Sequence, residues 1–339
     1  MSLATRKIPV LFLGTSSPSA TALQVLHDFS KRSCYEIVHV VTQPPARGRR
    51  SKNGHKKSCV HTLADKLSIP VSCPRFLDDD IAHLSSLKPA LAVTAAYGQI
   101  LSQEFLDMPP LGTLNIHPSL LPQYRGAAPV QRAIVNKAKV SGVTILQSTK
   151  KVDAGPILFQ VSQNIGQNTS TTEYLERMFG VGGSILSTLI PDIAQHHSNF
   201  TAQNSRLVSK ASKLKHDESL VNVETMTAET IHDMVRAFTP WPGVSLCINS
   251  NGKEQMYKIW KTSVLEQSKT QGDQQRVDSL EVDLANKQQR KFLKICCADN
   301  SVLGVSELQQ HGGKRISAMD FSNGAKGSTA IVVPPDCEL

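Results

Sequence analysis

The sequence predicts an α/β protein, a mainly parallel, doubly wound sheet followed by a small β-barrel. Three observations carry that expectation. Short apolar runs rich in β-branched residues alternate with helical patterns through the first half of the chain. Those runs are continuous rather than alternating, as strands covered on both faces must be. Beyond a polar stretch near residue 200, one helical pattern is followed by short strands and turns. At 339 residues the chain has room for two cores. They are expected as domain 1–197, linker 198–215 and domain 216–339.

Taken in order, Ile8 to Leu13 is an unbroken apolar strand ended by Gly14. Ser16, Ser17 and Ser19 then offer hydroxyl caps to a helix whose apolar face runs through Ala22, Leu23, Val25 and Leu26. Ile37 to Val41 is a second strand, Leu63 to Leu67 helical, Ile69 to Ser72 strand-like and Leu77 to Leu87 helical. Ala90 to Ala96 and Thr113 to Ile116 are two more strands. A helix begins at Ala127, strands follow at Gly142 to Gln147 and Pro156 to Val161, and Thr171 to Ile190 closes the first domain as a helix. Ser198 to Ser212 has linker composition. After an amphipathic helix, Ala228 to Phe238, strands are expected at Val244 to Ile248, Met256 to Val264, Phe292 to Cys296 and Thr329 to Val333, with Gln267 to Gln289 a long polar loop.

Composition narrows the class of protein. No apolar run reaches the roughly 18 residues of a membrane span, so a soluble protein is expected. Seven cysteines, odd in number and without CxxC or Cys/His spacing, support neither a disulfide framework nor a metal site. The basic start, Met1 to Lys7, leads straight into the first strand and leaves no room for a targeting peptide. Nearly all of the net charge of +9 lies before residue 206, which points to an anionic partner for the first domain. The acid-free run Gln43 to Ser58 concentrates it, with Arg47, Arg49, Arg50, Lys52, His55, Lys56 and Lys57. Either this is a solvated surface loop or an arm that contacts phosphates.

The chemistry is expected where the strand Thr113 to Ile116 runs out. Asn115 and His117 end it, and Pro118 and Pro122 forbid a regular continuation. The carboxyl ends of strands border the ligand crevice of an open α/β sheet. Asp153 lies on a tight loop between two later apolar runs. An Asn-x-His pair alone reads as turn furniture, and Asp followed by Ala-Gly as a turn former. Together, an amide, an imidazole and a carboxylate suit acyl transfer in which the substrate brings the nucleophile. Asn115 would donate to an oxyanion, and His117, charged by pairing with Asp153, would do the same and shuttle a proton.

The assembled motifs resemble the methionyl-tRNA formyltransferase family over nearly the whole chain. They are Gly14-Thr15, Arg47-Gly48-Arg49, Ala95-Ala96-Tyr97-Gly98, Asn115-Ile116-His117, Ser119-Leu120-Leu121-Pro122, Arg125-Gly126-Ala127-Ala128-Pro129, Asp153-Ala154-Gly155 and Trp241-Pro242-Gly243. The chain departs from the family in Ser16-Ser17-Pro18, where Pro, an acid and Phe are usual, and in the length of the basic loop. The resemblance implies a Rossmann-like domain with an OB-like, tRNA-binding C-terminal domain, and transfer of a formyl group from 10-formyltetrahydrofolate to methionyl initiator tRNA. It implies Asn115, His117 and Asp153 as the catalytic trio and Ser119, Leu120, Leu121 and Pro122 as folate contacts, with no metal. Arg47, Arg49, Arg50, Lys56 and Lys57 would meet the tRNA.

Competing readings keep the trio but change the acceptor. They are a formyltransferase on a sugar nucleotide or glycinamide amine, or a formyltetrahydrofolate hydrolase using water. A non-catalytic RNA-binding protein is the alternative from another class. A monomer is expected, acting in mitochondrion or plastid if eukaryotic, towards which the scatter of Ser and Cys points, and otherwise in bacterial cytoplasm.

Overall fold

A computed structural model of the chain describes residues 7–47, 55–250, 252–266, 292–324 and 330–333. Two compact units make it up. One comprises Met1–Val130, Lys139–Gly166 and Thr172–Ser212, the other Gln131–Ala138, Gln167–Thr171 and Lys213–Leu339.

In chain order the first unit starts with β1 (Ile8–Gly14), α1 (Ser17–Ser30), β2 (Tyr35–Val41) and the two-residue strands β3 (Ala46–Arg47) and β4 (His55–Lys56). It continues through α2 (Cys59–Leu67), β5 (Val71–Ser72), α3 (Ile81–Ser86), β6 (Leu91–Ala95), α4 (Gln103–Asp107) and β7 (Thr113–His117). Then come β8 (Val140–Gln147), β9 (Ile157–Asn164) and α6 (Thr171–Ala194), with α5 (Pro129–Val135) before β8 lying mostly in the second unit. The seven-stranded sheet has the order β5-β2-β1-β6-β7-β8-β9. Its first five strands are parallel, and β8 and β9 run antiparallel.

Burial explains the unbroken apolar strands. In β1, Val10, Leu11, Phe12 and Leu13 are all 1% exposed or less, so both faces are covered. Leu11 and Leu13 pack with Ile81 and Leu84 of α3. At β7, Gly182 of α6 approaches Ile116 so closely that a Cβ would collide with it. Hydroxyl caps fix the helix starts, as Ser16 accepts from the Ser19 amide, Ser58 from His61 and Ser102 from Phe105.

The second unit contains α7 (Ala228–Phe238), β10 (Val244–Ser250), β11 (Lys253–Leu265), β12 (Leu293–Cys296), β13 (Val302–Gln310), β14 (Arg315–Ser317), α8 (Ala318–Gly324) and β15 (Ala330–Val333). Its antiparallel, barrel-like sheet has the order β12-β13-β11-β10-β15, with β14 beside β13. Leu246, Ile248, Ile259, Leu293, Val305 and Leu308 fill its interior.

Three sequence expectations change. β13, paired on both sides, escapes a pattern search because Gly304 and the polar Glu307, Gln309 and Gln310 dilute its apolar signal. The stretch Ser198 to Ser212 is no free linker. It is hydrogen-bonded into the first unit, from Ile157 and Thr201 through their mutual amide bonds to Arg125, whose amide donates to Ser209 O at 2.9 Å. The base of the basic run, expected as a loop or arm, is a short ladder with Ala46 opposite Lys56 and Arg47 opposite His55. The predicted loop Gln267 to Gln289 lies outside the described residues, as do Arg49 and Arg50.

Candidate active site

The strand order reverses between β1 and β6, and in such sheets the carboxyl ends at the reversal open onto the ligand crevice. Three strand exits are lashed together there. Thr15 Oγ1 donates to Tyr97 O at 2.8 Å, Gln43 Nε2 donates to the same oxygen at 3.3 Å, and the Gln43 amide donates to Thr15 Oγ1 at 3.4 Å. This fixes the turn after β6, which presents Ile100 at 81% exposure.

One strand further on, β7 projects Asn115 and His117 to the same face, two residues apart. Thr94, opposite Asn115 in β6, donates its hydroxyl to Asn115 Oδ1 at 2.9 Å, which leaves the amide nitrogen as donor. Asn115 Nδ2 lies 3.4 Å from Asp153 Oδ1. His117 Nδ1 lies 3.6 Å from that same oxygen. The other carboxylate oxygen accepts from the Gly126 amide at 2.9 Å. A single carboxylate thus ties the strand, the loop after it and its own loop together.

The approach of Asp153 differs from the expected strand exit. β8 runs antiparallel to β7, with Leu114 opposite Gln147 and His117 opposite Thr144, so the β8–β9 loop leaves the sheet beside Leu114. Asp153 reaches back to Asn115 and His117 along the strand. Its backbone is in the left-handed region, φ 52, a conformation that needs outside support in a non-glycine residue. Gly126, φ 128, must be glycine for a second reason, since a Cβ there would sit 2.5 Å from Ala211 O.

The protonation of His117 also departs from the expected permanent imidazolium. Nε2 is 3.1 Å from the Tyr124 carbonyl, which can only accept, so that nitrogen carries the hydrogen. The side chain is 5% exposed, and burial outweighs both the Asp153 charge and the Tyr124 bond, pulling the ring below the ordinary 6.5. The ring therefore holds its second proton less firmly than a free imidazole does, with Nδ1 facing the carboxylate.

The segment Ser119 to Pro122 is largely internal. Ser119 is wholly buried and donates to Gln123 O at 2.8 Å, and Leu121 is 3% exposed. The Leu121 amide donates to Thr144 Oγ1, and Gln160 Nε2 donates to Leu121 O. Leu120 and Pro122 are half-buried. The side chains of Ser119 and Leu121 therefore hold the turn and offer a ligand no surface, whereas Ile100 and Val152, 81% and 60% exposed, do offer apolar surface.

Lys56 is exposed at the base of the basic loop, and Lys57 is drawn onto its own domain by Asp65, 2.5 Å away. Both partners of that pair are about half exposed, so the pair is weak. Sequence reading missed Thr94, Gln43, Tyr124 and Gln203, none of which carries a motif. Among the described residues no group of three or more His, Cys, Asp or Glu could hold a metal, and no helix is long and apolar enough to cross a membrane.

Known proteins match both units. Residues 6–190 match the formyl transferase family and residues 213–326 the formyl transferase C-terminal domain. Methionyl-tRNA formyltransferase of Macrococcus caseolyticus is 33% identical over 319 residues, covering 94% of this chain and 96% of the relative. That of Herpetosiphon aurantiacus is 34% identical, covering 94% and 98%. In fold the chain is similar to a solved N-formyltransferase from Helicobacter canadensis in complex with folinic acid and dTDP-3-aminofucose, at a TM-score of 0.61 and 17% identity, with 88% of this chain and 98% of that one covered. On the strength of the family match and the near full-length identity, the chain belongs to the methionyl-tRNA formyltransferase family.

Proposed function

We propose that Asn115, His117 and Asp153 carry the transfer of a formyl group from 10-formyltetrahydrofolate to the α-amine of methionyl initiator tRNA. The observation behind this reading is the shared oxygen, with Asn115 Nδ2 and His117 Nδ1 both within 3.6 Å of Asp153 Oδ1. An amide donor and an imidazole are then gathered round one carboxylate, beside which an amine can attack a carbonyl.

The amine nitrogen bonds to the formyl carbon, and the carbonyl electrons move onto oxygen. Asn115, its amide orientation set by Thr94, donates to that oxyanion. The amine proton passes by way of the Asp153 carboxylate to His117, whose Nδ1 faces it. The resulting imidazolium is held by the Tyr124 carbonyl at Nε2 and the Asp153 charge at Nδ1. As the carbon–N10 bond breaks, N10 of the folate takes that proton, leaving tetrahydrofolate, the formylated amine and a neutral ring. No side-chain nucleophile is required.

Ile100 and Val152 are exposed apolar side chains for the folate ring system to pack against, with Leu120 and Pro122 the half-buried members of the Ser119 to Pro122 turn. Arg47, Arg49, Arg50, Lys56 and Lys57 neutralise phosphates of the tRNA. The protein acts as a monomer where initiation is formylated, in bacteria or organelles, and the Ser and Cys content favours an organelle. Localisation of a tagged full-length chain tests the last point.

The decisive assay follows single-turnover transfer of labelled formyl to charged initiator tRNA. His117→Ala is expected to slow it roughly 100- to 1,000-fold. A rate near that of the parent removes the assignment.

A further inference from the structure

Gln203 sits in the polar segment whose composition suggested a linker, yet its side chain reaches the loop that carries Asp153. Its Nε2 donates twice, to Asp153 O at 2.9 Å and to Gly155 O at 2.7 Å. Its Oε1 accepts twice, from Arg125 Nε at 3.0 Å and Arg125 Nη2 at 2.6 Å. All the hydrogen-bonding capacity of one amide is therefore spent between the two loops that wall the trio.

The backbone around Gln203 is anchored at both ends. On one side Thr201 and Ile157 exchange amide bonds of 2.8 Å at the start of β9. On the other, the Tyr124 amide donates to Ser209 Oγ at 2.9 Å, the Arg125 amide to Ser209 O, and the Ala211 amide to Arg125 O at 2.6 Å. Gln203 bridges a span that is already fixed.

What the bridge supports is specific. Asp153 has a left-handed backbone, and Gly155 lies so close to Gln147 O that no side chain fits there. A loop in that state is held by its surroundings, and the carbonyls of Asp153 and Gly155 lie outside the sheet ladder. The donors of Gln203 satisfy them. Meanwhile the Gly126 amide, next to Arg125, grips the Asp153 carboxylate. Through Arg125, the same glutamine braces that grip as well.

We infer that Gln203 is a positioning residue, which sets the Asp153 carboxylate against Asn115 and His117 by tying the Asp153 loop to the Arg125 turn. This rests on the trio reading given above. Only an amide does the job at this point, because two donors and one forked acceptor are needed on one short side chain. Glutamate keeps the acceptor for Arg125 and loses both donors. Methionine keeps the volume and loses everything polar.

The full-length protein tests this with Gln203→Glu and Gln203→Met, beside Asp153→Asn as reference. Both glutamine variants are expected to slow single-turnover transfer by roughly 10- to 100-fold, since about 1 Å of misplacement has such an effect. KM for charged tRNA and for formyl-folate is expected to stay within about threefold, as ligand contacts are untouched. In the methionine variant the His117 ring, followed by NMR, is expected to titrate at lower pH, because the charge that raises it has drifted away. A purely structural role would lower the melting temperature and leave that titration where it was. A Glu variant as fast as the parent overturns the inference while an inactive Asp153→Asn leaves the trio standing. If Asp153→Asn itself remains active, the trio reading falls and takes this inference with it. Should the methionine variant not fold, the glutamate variant, with its Arg125 partner intact, decides by rate alone.

Discussion

The two units bury opposite things. The barrel-like sheet of the second unit is filled by Leu246, Ile248, Ile259, Leu293 and Val305. Its polar chemistry lies outside, where Arg315 and Lys258 approach Trp260 at 3.9 and 4.5 Å and the indole donates to Gln309. The first unit has an apolar sheet core too, but at β7 it also buries His117 and nearly buries Asp153. Buried polar groups are tolerated only where each finds a partner. Here Thr94, Tyr124, Gly126 and Gln203 supply them. The difference separates a buried polar cluster from an exposed one. Shifting a pKa needs low solvent access, which only the first of these clusters has.

The largest expected effect breaks the first unit's side of that contrast. Asp153→Asn should reduce single-turnover transfer by about 1,000-fold with little change in melting temperature, since the asparagine keeps the volume and an acceptor for the Gly126 amide. It should also move the acid limb of the remaining activity. On the proposed mechanism protonation of the ring stops transfer, and burial draws that limb below the ordinary imidazole range. Removing the carboxylate charge, which pulls the ring value up, sends the limb lower still, and a pH–rate profile of parent and variant checks the direction. Stability follows the same sign. A buried ring with a lowered pKa takes up its proton less readily than the unfolded chain, so stability contributed by His117 is lost as pH falls below 6.5.

The second expected effect tests the apolar side. Ile259 is wholly buried in the barrel-like sheet, and Ile259→Ala should destabilise the second unit by about 2–5 kcal/mol. Denaturant unfolding monitored by Trp260 measures it. The His117 titration in the folded protein should not move, because no polar group of the first unit depends on that side chain. A shift there would mean that the division between the units is not as clean as their interiors suggest.

Much of this was legible in the sequence, for identifiable reasons. Continuous apolar runs announce strands covered on both faces, and the step of two residues between Asn115 and His117 announces one strand face. What stayed illegible depends on partners distant in sequence. An apolar run carries no direction, so the antiparallel course of β8, and with it the route of Asp153, had no signature. Thr94 reads as one more β-former within LAVTA, and only pairing to Asn115 gives it a role. Gln203 sits among Thr, Asn and Ser, a composition shared with true linkers. The Asp153–His117 pair was readable, but burial, which decides the ring's charge, is a property of the assembled fold.

Thr94→Val sharpens the point about partners and should have an intermediate effect. The swap keeps the strand and its shape while removing the hydroxyl that orients Asn115. An amide free to turn presents the wrong atom to an oxyanion part of the time. Transfer is expected to slow about tenfold, near 1.4 kcal/mol, with KM values unchanged. A rate equal to the parent's would show that Asp153 alone orients the amide.

The smallest expected effect lies on the outer face of the second unit. Arg315 stacks on Trp260 and pairs with Glu307 at 3.1 Å, and its side chain is about half exposed at 49%. Exposed pairs of this kind contribute little to folding, so Arg315→Ala should leave the melting temperature nearly unchanged. If this face meets the tRNA, one phosphate contact is lost. Affinity should then fall about fivefold, and the slope of log affinity against log salt should flatten by about one unit, while single-turnover transfer at saturating tRNA keeps its rate. Equal binding by parent and variant across the salt range would move the recognition surface away from Trp260. A slowed chemical step at saturation would instead give Arg315 a part in the transfer itself.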